Sequence, residues 1–121
     1  MRTTYDGDPQ GLFDDVVAHL RKQNAQCIDS HSRCKYRGPD NLKCAIGGVL
    51  PDELYHPEYD SSSYTVNMLY DCKDIKDYFG ADNNKLANSL QYIHDRTNIN
   101  NWESAFVDLA DELCLKYTPK E

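Results

Sequence analysis

Cys44 and the adjacent pair His94-Asp95 are the residues whose types could carry out covalent chemistry. A thiol at the start of a helix has a lowered pKa and attacks as thiolate. An imidazole beside a carboxylate can act as its base, the carboxylate fixing the ring. If the chain is an enzyme, Cys44 is its nucleophile, His94 its base and Asp95 the orienting group. Cysteine, histidine and aspartate also meet by chance in most chains of this size, and His94 falls one step from an apolar helical stripe, where a hydrogen-bonded structural histidine is the plainer reading. Catalysis is therefore the secondary expectation. Zinc is another outlet for the thiols. Cys34 and Cys44 could supply two ligands, with Cys27, His31 and His94 as further donors, but the chain has no tight Cys-x₂-Cys pair. Small, half-buried core thiols are the simpler expectation, and no cofactor is assigned.

A second set of residues suits binding. Arg33, Lys35 and Arg37 alternate with Cys34 and Tyr36. On an extended strand that spacing turns the bases to one face and the thiol and ring to the other. Arg33, Lys35, Tyr36 and Arg37, with Asp40 at the following turn, are the candidate ligand- or partner-binding residues. They would take a nucleotide, a phosphate or an acidic protein surface. The competing reading is an edge strand protected by its charges. These bases belong to an island: residues 21–43 hold six bases against two acids. The whole chain carries 13 Lys and Arg against 20 Asp and Glu, a formal charge of −7, which disfavours generic nucleic-acid binding. Of the nine tyrosines, Tyr5, Tyr55, Tyr59, Tyr64, Tyr70 and Tyr117 fall in loops or near element ends, where an interaction surface is expected.

The elements that must position these groups follow from periodicity. At 121 residues the chain makes one domain, 1–121, with 1–8 a flexible lead-in. Asp8-Pro9 starts a helix over 9–23, with Leu12, Phe13, Val16, Val17 and Leu20 on one side. Gly38-Pro39-Asp40-Asn41 is a turn signal between two arms, so residues 33–46 are expected to form a β-hairpin. A short helical turn at 51–55 and a polar loop at 57–65 come next. Val66 to Phe79 holds one or two short helices closed by Gly80. Asp82 caps a helix bearing Leu86, Leu90 and Ile93. Asn100 or Asn101 caps the last helix, whose outer face carries Asp108, Asp111 and Glu112. The expected fold is α+β: four or five helices packed with one hairpin. No apolar run is long enough to cross a bilayer, the start lacks a signal peptide's apolar core, and five cysteines suit a reducing cytoplasm.

The stretch from Arg33 to Tyr55 (RCKYRGPDNLKCAIGGVLPDELY) resembles a family of small bacteriophage and prophage proteins with the pattern C-x-YRGPDG-x-KCAVG-x-LIPDE-x-Y. Leu90-Gln91-Tyr92-Ile93-His94-Asp95 and Trp102-Glu103 are similar to that family's later elements. Asn41 departs from the family's glycine, and asparagine is the next-best residue for a left-handed turn. The resemblance implies a phage-encoded accessory protein in the bacterial cytoplasm and brings no activity with it. The leading expectation is a non-enzymatic protein that engages a host or phage protein, in host modulation or counter-defence. Sequestration of a small anion or nucleotide is the first alternative, a Cys-dependent enzyme the second. Self-association stays open.

Overall fold

A computed structural model describes residues 4–31 and 33–120. Among them are seven α-helices: α1 (Pro9–Gln23), α2 (Ala45–Val49), α3 (Glu58–Ser61), α4 (Val66–Leu69), α5 (Lys73–Phe79), α6 (Asn84–Arg96) and α7 (Trp102–Glu112). Helix α6 is the hub, packed by α1, α2, α4 and α7. Its buried Leu86, Ala87, Leu90 and Ile93 meet a core that includes Leu12, Val16 and Leu20 of α1 and Ile46 of α2. Phe13 and Phe106 close the α1–α7 side edge to face, 6.5 Å between ring centres.

Local chemistry sets the helix ends. The Asp8 carboxylate accepts the Gly11 N–H at 3.0 Å, Pro9 opens α1, and Asn24 closes it at φ +49°. Thr65 caps α4 through the Met68 N–H. Gly80, at φ +91°, ends α5. The cap position of α6 is Asn83, one residue after the expected Asp82, behind a 3₁₀ turn at Ala81–Asn83. Beyond α7 the chain returns along α1, where Gln10 exchanges two hydrogen bonds with the Lys116 backbone at 2.8 and 2.9 Å.

The fold is all-α, and the expected α+β class with a hairpin at 33–46 is incorrect: no strand forms among the described residues. The segment does double back, but only two isolated antiparallel bridges result, Ile28 with Cys34 and Arg37 with Lys43. Three features stop a ladder from growing. Asp40 and Asn41 both take φ near +60°, making a 3₁₀ turn at Pro39–Asn41 that splays the arms. On the first arm, the Tyr36 and Arg37 N–H groups donate to the Asp60 carboxylate at 2.7 and 3.2 Å. On the return arm, Cys44 caps α2, its Sγ accepting the Gly47 N–H at 3.2 Å, so Ala45 and Ile46 are helical. Here the side-chain partners outcompete the ladder.

The lead-in also differs from expectation where it is described. Tyr5 is only 3% exposed. Its N–H donates to the Tyr78 carbonyl, and its ring stacks parallel to Phe79 at 6.1 Å. The loop tyrosines are likewise not an exposed surface. Tyr59 is buried and Tyr55, Tyr64, Tyr70 and Tyr117 are half-buried, while Tyr92 is 64% exposed.

Candidate functional site

The structure brings His94 and Asp95 together and keeps Cys44 apart from any reactive role. His94 is fully buried. Its Nε2 accepts the Cys27 backbone N–H at 2.9 Å, so the ring proton sits on Nδ1 and is donated to Asp95 Oδ1 at 2.7 Å. Asp95 Oδ1 also accepts from Gln91 Nε2 at 2.9 Å, and Gln91 Oε1 accepts the Ile46 N–H at 3.1 Å. This chain of bonds ties α6 to α2 and to the 25–28 segment. Cys44 is wholly buried, and burial pushes its thiol well above its ordinary pKa. A capping sulfur held as a neutral thiol in the core is a poor nucleophile.

Cys34, His94 and Asp95 place one donor atom each within 4.8 Å of one another, the one such cluster among the described residues. It joins Cys34, and not Cys44, to the imidazole. A metal at Nδ1 would force the ring proton onto Nε2, where the Cys27 N–H already points. The geometry therefore fits a hydrogen-bonded lock better than a metal centre. Desolvation and the neighbouring Asp95 carboxylate push the Cys34 thiol up to about 11, as expected for an S–H shared with a carboxylate.

The cationic arm is engaged from within. Arg37 donates to the Leu50 carbonyl at 2.8 Å, pairs with Asp52 at 2.7 Å and lies over the Tyr55 ring at 4.6 Å. Lys35 donates to the Asp60 carbonyl at 3.2 Å and sits 3.8 Å from Asp29. Arg33, 65% exposed, pairs with Asp29 at 3.2 Å. Hydrogen bonds from the Arg33 and His31 backbone hold the Asp29 carboxyl down at about 2. Tyr36 is 7% exposed and donates its hydroxyl to the Tyr64 carbonyl at 2.7 Å; burial raises its pKa. Asp40 stands exposed at the turn tip. The five candidate residues thus do not converge on a cationic rim. Asp60, which no sequence signal marked, takes the Tyr36 and Arg37 backbone N–H groups on its carboxylate and also accepts the Tyr55 hydroxyl at 2.6 Å.

A further concave site lies elsewhere. An open groove of about 1170 Å³ runs between α1, the segment from Gly48 to Leu54, and α5. Val49, Leu50, Pro51, Leu54 and Tyr78 supply its apolar lining. Asp6, Asp15, Glu53, Asp74 and Asp77 stand around it, with Lys76 the one Lys or Arg among the described lining residues. Asp15 is held by the Tyr5 hydroxyl at 2.7 Å, and Asp77 pairs with Lys73 at 2.6 Å. His19 lines the groove beside Gly48, its Nε2 donating to the Lys43 and Cys44 carbonyls at 3.1 Å. Burial lowers its pKa, so the ring is neutral near pH 7. Four separated pieces of chain build this groove, each with ordinary residues. The one sequence signal was the acidic excess outside residues 21–43.

Comparison with known protein families, with curated proteins and with solved structures finds no match for this chain.

Proposed function

We propose that this protein acts by binding another protein, with the groove between α1, the 48–54 segment and α5 as its docking site, and without catalysing a reaction. The observation that carries the reading is the groove itself, about 1170 Å³ with an apolar floor. That is larger than the roughly 300–1,000 Å³ of typical small-molecule pockets and suits a peptide segment better than a metabolite. The alternatives gain no comparable support. Lys35 and Arg37, needed for an anion, are already engaged by Asp29, Asp60, Asp52 and Tyr55. Cys44, needed for an enzyme, is a buried helix cap.

The resemblance to phage and prophage proteins sets the proposed encounter in a bacterial host's cytoplasm, where the partner would be a host or phage protein. No helix among the described residues is long and apolar enough to cross a membrane. The reading is tested by co-purification from a bacterial host using the wild type and two groove-filling variants, Ala18→Trp and Ala81→Trp. Both sites line the groove and are exposed, so the variants should fold. A stoichiometric partner held by the wild type and lost from both variants is the expected result. Recovery of the bare protein, or a partner held equally by all three, contradicts it.

A further inference from the structure

We infer that the groove's partner presents a basic, amphipathic segment, Lys or Arg side chains alternating with bulky apolar ones. This deepens the docking reading above and rests on it. The argument is complementarity of two kinds. Five carboxylates stand around the groove against one lysine among the described lining residues, Asp15 being held by Tyr5 and Asp77 by Lys73. Asp6, Glu53 and Asp74 among them are exposed and enter no ion pair with another described residue. Like charges around a concave, partly apolar site reinforce one another's field, which is felt most by a cation entering between them. An uncharged or acidic segment would leave that repulsion in place.

The floor sets the second requirement. Val49, Leu50, Pro51, Leu54 and Tyr78 offer apolar contact that a small polycation such as a polyamine or a metal ion could not use. A segment carrying both charge and apolar bulk uses both features. The groove's position fits a separate partner: the cationic stretch at 33–37 is tied to Asp29, Asp52 and Asp60 of its own chain. It is therefore a poor candidate to fill the groove of a second copy. Steering would follow as well, since an attractive field speeds encounter and weakens with salt.

The test is fluorescence anisotropy with two labelled peptides of identical apolar residues, one carrying Lys and Arg at the intervening positions and the other Gln. The protein is used as wild type, Glu53→Lys, Asp74→Lys and, as a control with the same charge change outside the groove, Asp111→Lys. The basic peptide should bind the wild type about tenfold or more tighter than the Gln peptide, and each groove reversal should weaken it by about tenfold. Asp111→Lys should leave it within about twofold, and added salt should weaken the basic peptide alone. Equal binding of the Gln peptide overturns the inference, as does unchanged affinity in the groove variants or equally tight competition by a polyamine. Those outcomes leave docking itself standing; docking falls separately, if the partner survives in the groove-filled variants.

Discussion

A few side chains in this protein replace regular structure by supplying the hydrogen bonds it would otherwise have made. Asp60 is the clearest case, gathering the Tyr36 and Arg37 N–H groups and the Tyr55 hydroxyl on one carboxylate. Asp60→Ala should cost about 2–4 kcal/mol, the range for breaking charge-assisted bonds and leaving part-buried donors unpaired; urea unfolding measures it. The buried thiols invite a pH test. Cys27 is raised to about 11 by burial, against an ordinary 9.0, and Cys44 moves the same way. Below the ordinary value both the folded and unfolded chain keep these protons, so the thiols leave stability unchanged. Between the two values the unfolded chain ionises first, so stability should fall as pH rises from about 9 towards 11. Urea midpoints across that window check it, and a flat profile speaks against the buried-thiol picture. Native-state alkylation should accordingly spare Cys27 and Cys44 and modify exposed Cys114. Rapid modification of Cys44 in folded protein would revive it as a nucleophile.

At the scale of elements, most helices were legible because their signals are local. Asp8-Pro9 and the Leu12–Leu20 spacing mark α1 as it stands, and Gly80 closes α5 as its residue type suggests. The hairpin expected at 33–46 does not form, for a physical reason. The turn at Pro39–Asn41 is real, but whether two arms zip into strands depends on competing partners, here Asp60, distant in sequence, and Cys44, which caps α2. Nothing within residues 33–46 discloses Asp60, and cysteine is not among the residue types that mark a helix cap. The doubled-back arm also accounts for the glycine that follows it. A side chain at Gly47 would put Cβ at 2.0 Å from the Tyr36 carbonyl oxygen, a backbone atom with little freedom to move. Gly47→Ala should therefore destabilise by about 3 kcal/mol or more. A thermal or urea melt close to wild type would contradict the tight seating of α2 under the doubled-back arm.

For the whole molecule, function rests on where charge and apolar surface coincide. The sequence disclosed the sum, a basic island on an acidic body, but attention goes naturally to the island, whose residues lie close together. Folding reverses the weights. Four of the island's six bases, Arg21, Arg33, Lys35 and Arg37, pair with acids of their own chain, while acids at 6, 15, 53, 74 and 77 gather around one groove. Such a gathering is invisible in a linear pattern. The most direct measurement is an amide chemical-shift map of the protein titrated with the basic amphipathic peptide. Perturbations should concentrate at residues 48–54 and 74–81 and on the α1 face at Asp15, Ala18 and His19. A map centred instead on residues 33–41, or one with no concentrated region, would contradict docking in the groove.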